Sequence, residues 1–331
     1  MNKTIILDKR PVGKPQLTDF RFMDEEIPQA GVDEILLKTA YVSVDPYLRG
    51  RMNDAKSYSP PFLLHKPISS GIIAEITESN HPGFSKGDFV SGMLEWKEYQ
   101  KSDGKGLRIV DPSKASLSAY LGILGMTGMT AYLGLTEIGK PLKGETLVVS
   151  GAAGAVGSVV GQIGKILGCR VVGIAGTDEK VEMLTFSYGF DEGINYNSTT
   201  DLKAAIEAVC PDGVDIYFDN VGGTVTDSVL ANINKFARII ICGSISVYNE
   251  TSTPVGPRVE PLLIKSSALM QGFIVGNYAD KFPEALEHLT NWVSQGKLTY
   301  SETIVNGFDL IPQAFINLFE GKNKGKMIVK I

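Results

Sequence analysis

The sequence predicts an α/β protein of two domains, an antiparallel barrel-like domain interrupted by a doubly wound parallel-sheet domain. Three observations predict it. The chain has 331 residues, more than one ordinary core accommodates. Its first third consists of short strand-like runs broken by Pro and Gly. Beyond about residue 121, strand-like and helix-like runs alternate, the pattern of a parallel sheet covered by helices on both faces.

In the first domain, residues 34–39 (EILLKT), 71–77 (GIIAEIT) and 88–92 (DFVSG) read as strands. Residues 82–88 (PGFSKGD) read as a turn, and Pro60-Pro61 as part of a loop. The apolar, charge-poor run 125–135 (GMTGMTAYLGL) begins a packed helix. Then come a strand at 145–150, a helix at 156–167, a strand at 170–175 and helices near 179–188 and 201–209. A strand at 214–218, a helix near 225–233 and a strand at 237–242 complete the alternation. Leu286, Leu289, Trp292 and Val293 recur at helical spacing over 282–293. Residues 303–307 and 326–331 are strand-like again, so the tail is expected to return to the first domain. The expected layout is 1–120 with 290–331 for the barrel-like domain and 121–289 for the parallel-sheet domain.

Composition narrows the function. The chain is 43% hydrophobic and 21% charged, as soluble globular proteins are. Its net charge of −5 argues against nucleic acid as a partner, since that role favours a basic surface. Cys169, Cys210 and Cys242 are odd in number and far apart, which implies a reducing cytoplasm rather than a disulfide framework. No signal peptide and no membrane span are expected from the apolar runs. His65, His81 and His288 have no metal-ligand spacing to another His or Cys, and no C-x-x-C occurs, so no metal is expected. A G-x-S-x-G nucleophile turn is also missing.

The strongest chemical signal is residues 148–161, VVSGAAGAVGSVVG. An apolar strand runs into a Gly/Ala turn, and the turn into a helix. Gly154 and Gly157 match the second and third glycines of the dinucleotide fingerprint, while Ala152 stands where the first usually is. Small residues let the backbone approach a pyrophosphate, and a helix start offers N–H groups and the positive end of its dipole. The same spelling could make a plain tight turn; the strand before it and the helix after it favour the phosphate.

The next strand leads into Gly176, Thr177, Asp178, Glu179 and Lys180. Enzymes specific for NAD carry an acidic residue at the tip of this strand to hold the ribose hydroxyls. Here the tip is Gly176-Thr177 and Lys180 lies a turn beyond, which favours NADPH through its 2′-phosphate, although Asp178 and Glu179 point the other way and Lys180 can also be read as a solvated helix residue. Asn220 and Tyr248 follow later strands, on the edge where doubly wound sheets bind ligands. Gly222-Gly223 would let a ligand approach closely. Either Asn220 or Tyr248 could instead serve only as a turn or capping residue.

These motifs resemble the zinc-independent medium-chain dehydrogenases/reductases, within them the leukotriene B4 dehydrogenase/prostaglandin reductase and curcumin reductase group of alkenal/alkenone double-bond reductases. The resemblance runs through SVDPYLRGRM at 43–52, SYSPP at 57–61, GMTGMTAY at 125–132 and SGAAGAVGS at 150–158. It continues through VVGIAGTDEK at 171–180, YFDNVGG at 217–223, CGSISVYN at 242–249, QGFIV at 271–275 and GKNKGK at 321–326. It implies a GroES-like β-barrel domain, a Rossmann domain and a homodimer. It also implies a pyrophosphate turn at Gly154, Ala155, Val156, Gly157 and Ser158, a tip at Gly176 and Thr177, and a 2′-phosphate on Lys180 with Tyr196 at the adenine ribose end. Asn220, Cys242, Gly243, Ser244, Ile245, Tyr248, Phe273, Ile274 and Val275 would line the cofactor, and Asn323 would reach its nicotinamide end. SYSPP is more like the curcumin reductase branch, so Tyr58 would face substrate.

The chemistry expected is hydride delivery from NADPH to the β-carbon of a conjugated enone or enal. Charge then collects on the carbonyl oxygen as an enolate, which needs a hydrogen-bond donor and a proton for the α-carbon. A tyrosine hydroxyl is protonated at neutral pH and can donate. Tyr248 is the first choice and Tyr58 the second, with a ribose hydroxyl or water as other proton sources. Two other readings use the same motifs: a quinone reductase of the zeta-crystallin type, and a non-catalytic NADPH-binding structural protein.

Overall fold

The computed structural model describes all 331 residues, and the chain divides into two units. The first comprises residues 1–122, 302–323 and 327–331, and the second 123–301 and 324–326.

The first unit is built on an antiparallel sheet. Ile35–Ser43 pairs with Ser69–Ser79, which pairs with Phe89–Glu95, which pairs with Arg108–Val110. Tyr99–Ser102 also pairs with Ile35–Ser43, and the C-terminal strand Lys326–Lys330 lies along its other end, antiparallel. Asn2–Leu7 and Phe20–Glu25 form a separate two-stranded sheet. Alternating apolar positions of these strands enclose one core, which includes Ile5, Leu37, Ile72, Val90, Trp96 and Phe315. This is the GroES-like unit.

The second unit is a six-stranded parallel sheet. Its strands are β1 (Thr146–Ser150), β2 (Arg170–Ala175), β3 (Glu192–Asn195), β4 (Val214–Asp219), β5 (Ile233–Ile241) and β6 (Leu269–Gly272). Their order across the sheet is β3-β2-β1-β4-β5-β6, and neighbouring strands pair in parallel. This is the doubly wound Rossmann order, in which the chain reverses direction across the sheet between β1 and β4. The helices are α1 (Met126–Leu133), α2 (Gly157–Ile166), α3 (Asp178–Tyr188), α4 (Leu202–Val209), α5 (Gly223–Leu230), α6 (Glu260–Ser266) and α7 (Phe282–Ser294). The central strands are apolar on both faces because helices cover both: every residue of β1 is buried.

Three features differ from what the sequence suggests. The run 125–135 begins a packed helix as expected, but α1 passes at Gly134 into a π-helical turn, Gly134–Gly139, that the sequence does not announce. A Cβ at Gly134 would stand 2.6 Å from the Phe273 ring and 2.8 Å from that of Phe218, so only glycine lets this turn close on the two rings. The strands β3 and β6 are four residues each at the two edges of the sheet, too short to show a periodicity. Finally, residues 290–301 go with the second unit. There α7 packs on α1, with His288 stacked on Tyr132 at 5.4 Å, and Gln162 of α2 both donates to and accepts from the backbone of Thr299. Residues 324–326 belong here too, since the Gly325 amide donates to the Ala153 carbonyl at 2.8 Å and that of Lys326 to Ser301 at 2.9 Å.

Candidate cofactor and active site

All six strands of the second unit point one way, so their carboxyl ends share one edge. Ser150, Ala175, Asn195, Asp219, Ile241 and Gly272 are the last residues of β1 to β6. Each expected site residue of this unit lies in the loop or helix start that follows one of them. The turn from Gly151 to Ser158 follows β1, Gly176 to Lys180 follows β2, and Tyr196 follows β3. Asn220 follows β4, the stretch from Cys242 to Tyr248 follows β5, and Phe273, Ile274 and Val275 follow β6. Tyr58 and Asn323 belong to the first unit, where the Tyr58 side chain is well exposed.

The β1 turn is shaped by backbone demands. Gly151 carries a left-handed φ of +58°, so the turn's special conformation sits one residue before the position that Ala152 takes in the fingerprint. A Cβ at Gly157 would stand 2.5 Å from the Gly151 carbonyl oxygen, so glycine alone lets α2 start against the turn. The amides of Gly154 and Ser158 donate to Gly151 and Gly154 respectively. Ala155, Val156 and Gly157 then lead into α2, where a helix leaves N–H groups without intrahelical acceptors. That cradle fits a pyrophosphate.

At the β2 tip no carboxylate replaces the one an NAD-specific site would need. Thr177 is the N-cap of α3, its hydroxyl accepting the Lys180 amide at 3.2 Å. Asp178 accepts from the Asn195 side chain at 2.6 Å, and Glu179 pairs with Lys324. Lys180 is half-buried; desolvation first, and the nearby Lys324 charge second, lower its ammonium pKa. Two cations beside a helix N-terminus fit a phosphate better than a pair of ribose hydroxyls. Tyr196 stands close by: a Cβ on Gly176 would come within 3.1 Å of its hydroxyl. Tyr196 also lines a cavity of about 430 Å³ with Thr199, Thr200, Leu202, Thr224 and Val225.

A buried carboxylate that sequence reading passed over fixes the β1 and β4 ends. Asp219 is 1% exposed and accepts from the hydroxyls of Ser150 at 3.0 Å and Tyr217 at 2.9 Å, from that of Thr226, and from the amides of Val221 and Gly222 at 2.9 Å each. That many donors satisfy a buried charge. Asn220 is clamped with it: its amide donates to the Ser150 hydroxyl at 2.9 Å and its side chain to the Ser150 carbonyl at 2.8 Å. The signal available in the sequence was the single Asp that ends an apolar strand.

Gly222 and Gly223 have left-handed φ of +74° and +61°. Space is left there for a neighbouring loop, since a Cβ on Gly222 would lie 3.0 Å from the Ser244 Cβ and one on Gly223 3.0 Å from the Ser246 hydroxyl. The Ser246 hydroxyl in turn donates to the Val221 carbonyl at 2.6 Å. The loop after β5 is thereby pinned to the loop after β4. Within it the half-buried Tyr248 hydroxyl accepts the Ser244 amide at 3.3 Å, and it lies 3.3 Å from where a Gly243 Cβ would be. Burial raises the phenol's pKa, against a lowering by the Ser244 bond. Because the oxygen accepts from the backbone, the Tyr248 proton remains for donation elsewhere. Burial and the Asp219 charge push the Cys242 thiol up to about 12, which makes it a neutral wall residue rather than a nucleophile. The Phe273 ring packs edge-on against Phe218 and Tyr278, so its side chain is engaged in packing, while Ile274 and Val275 follow it in the loop.

No group of three or more His, Cys, Asp or Glu side chains stands together as a metal site would require, and all three cysteines are unpaired. No helix is long and apolar enough to cross a membrane.

Comparison with known proteins places this geometry. Residues 3–110 match the family model for the N-terminal domain of oxidoreductase, and residues 155–291 the model described as zinc-binding dehydrogenase. The chain is 42% identical over 335 residues, 100% of itself and 97% of the relative, to the NADPH-dependent curcumin reductase of Escherichia coli (strain K12). It is 42% identical over 336 residues, again 100% of itself and 97% of the relative, to the NADP-dependent 2-alkenal reductase of Nicotiana tabacum. The crystal structure of CurA from Vibrio vulnificus in complex with NADPH superposes with a TM-score of 0.95 at 44% identity, covering 99% of this chain and 98% of that one.

Proposed function

From a chain that belongs to the zinc-independent medium-chain dehydrogenases/reductases, in the branch of curcumin, alkenal and prostaglandin reductases, we infer an NADPH-dependent reductase of the C=C bond of α,β-unsaturated ketones and aldehydes. The observation that carries this reading is the shared edge. The phosphate turn, Lys180, Asn220 and the Tyr248 hydroxyl all follow the carboxyl ends of one parallel sheet.

When bound, the reduced nicotinamide supplies a hydride to the β-carbon of the conjugated substrate. The protein's part is to hold, orient and stabilise. The turn from Gly154 to Ser158 presents helix-start amides to the pyrophosphate. Lys180 takes the 2′-phosphate, and Tyr196, with the cavity beside it, the adenosine end. Asn220, held rigid by Ser150, and the stretch Cys242, Gly243, Ser244 and Ile245 line the cofactor, as do the backbones of Phe273, Ile274 and Val275. Asn323 serves the nicotinamide end. Tyr248 donates its hydroxyl proton as a hydrogen bond to the carbonyl oxygen, where enolate charge develops, while its own oxygen stays anchored on the Ser244 amide. Tyr58, exposed in the first unit, is the second choice for this role. The enzyme works as a homodimer in the cytoplasm, a reading supported by the family likeness and by three unpaired cysteines.

Replacing Tyr248 by Phe removes the hydroxyl and, with it, the acceptor of the Ser244 amide. The expected result is a fall in kcat of roughly ten- to a thousandfold, the range for one oxyanion donor or acid, larger than any change in NADPH affinity. Steady-state rates with a simple enone and direct NADPH titration read the two quantities; an unchanged kcat would remove Tyr248 from this role.

A further inference from the structure

Lys324 lies in the short stretch, residues 324–326, with which the tail rejoins the nucleotide-binding unit. Its neighbour Gly325 is fixed there. The Gly325 amide donates to the Ala153 carbonyl at 2.8 Å, Gly325 forms a parallel bridge with Gly154, and a Cβ on it would fall 1.8 Å from the Ser301 carbonyl oxygen. Lys324 is therefore anchored against the glycine turn itself. Its ammonium reaches the start of α3 and pairs with Glu179, the residue before Lys180. One carboxylate thus stands among two lysines where β2 hands over to α3.

The geometry points to Lys324 as a second cation for the 2′-phosphate of NADPH, with Glu179 holding its ammonium in place until the phosphate displaces the carboxylate. The inference rests on the NADPH reading above. Two ammonium groups beside a helix N-terminus repel each other and are stabilised by an anion placed between them. Burial is the first cause of the lowered Lys180 pKa, and the Lys324 charge adds to it as the second. A phosphate monoester brings a charge of about −1.5 to −2 against the single charge of Glu179, so the dianion wins the exchange. The displaced pair is weak, since the Lys324 and Glu179 side chains are 43% and 70% exposed. The exchange gives a specificity device: an NADH molecule has nothing with which to displace Glu179.

Calorimetric titration with adenosine 2′,5′-bisphosphate and with 5′-AMP tests this without turnover. The wild-type protein should bind the bisphosphate more tightly than 5′-AMP. Lys324→Met should weaken the bisphosphate by about tenfold, the loss of one charge-assisted contact, and leave 5′-AMP within about twofold. Lys324→Arg should restore the bisphosphate, and Glu179→Gln should tighten it severalfold. Unchanged bisphosphate binding in Lys324→Met, or an equal loss for both ligands, overturns the assignment of Lys324 while leaving the NADPH reading intact. A wild-type protein that binds both ligands equally contradicts the NADPH reading itself. If Lys324→Met does not fold, Glu179→Gln decides alone, and bisphosphate binding that is unchanged or weaker overturns the exchange.

Discussion

Tyr248 is the donor we propose because its own oxygen is occupied. The Ser244 amide bonds to the phenol oxygen at 3.3 Å, which leaves the O–H available for donation. Burial raises its pKa above the usual value near 10, so the donor form persists through neutral pH and is lost only as pH climbs past that range. In a profile of kcat against pH, the loss due to this group should therefore appear above about pH 10 and should vanish in Tyr248→Phe. A tyrosine-dependent limb near pH 8 would contradict the environment described. At Lys180 the expected effect is on cofactor choice. Lys180→Ala should raise the NADPH KM by about ten- to a hundredfold and leave the NADH KM nearly unchanged, since only NADPH carries the phosphate. Equal effects in parallel NADPH and NADH kinetics would refute the contact. The positions of these residues were legible because each follows a recognisable strand. Gly151 was not, since the sign of a backbone dihedral is not spelled in a sequence, and the fingerprint directs attention to Ala152 instead. Lys324 escaped for another reason: what matters is its place beside Glu179, which lies 145 residues away.

At the scale of elements, β1 and β4 carry the site because Asp219 ties their ends together. It gathers the Ser150, Tyr217 and Thr226 hydroxyls and two amides in a buried place. Asp219→Asn puts an NH₂ donor among groups that already donate, which leaves buried polar atoms unpaired. It should cost about 2–4 kcal/mol of stability in chemical denaturation and loosen Asn220 and the Gly222–Gly223 turn enough to weaken NADPH binding. A variant as stable as the wild type would show that the cluster is not what holds this edge. The strands β1, β2, β4 and β5 are readable because buried strands are largely apolar, while α4 and α7 keep an apolar stripe and α3 and α4 carry the N-caps Thr177 and Asp201. The edge strands β3 and β6 are not, since four residues each, of which only Ile194 is buried, carry no pattern. The closeness of the loops after β4 and β5 is equally invisible in the sequence. The glycines at 222 and 223 suggested room for a ligand, whereas Ser244 and Ser246 fill that room.

For the whole molecule, the two-unit plan and the returning tail follow from the change of pattern near residue 121 and its reversal after 302. The boundary at 302 depends on contacts that no local pattern reports: the Tyr132–His288 stack and the Gln162–Thr299 bonds keep residues up to 301 with the parallel sheet. Substrate choice depends on the donor presented to a conjugated carbonyl, and the direction of hydride delivery separates the enone reading from reduction of a carbonyl or a quinone. The most direct test is to incubate the protein with a simple enone and NADPH deuterated at its transferable position, and to locate the label in the product by NMR. The account predicts a saturated ketone with deuterium on the former β-carbon. Deuterium on the carbonyl carbon of an allylic alcohol, or turnover confined to quinones, would contradict it.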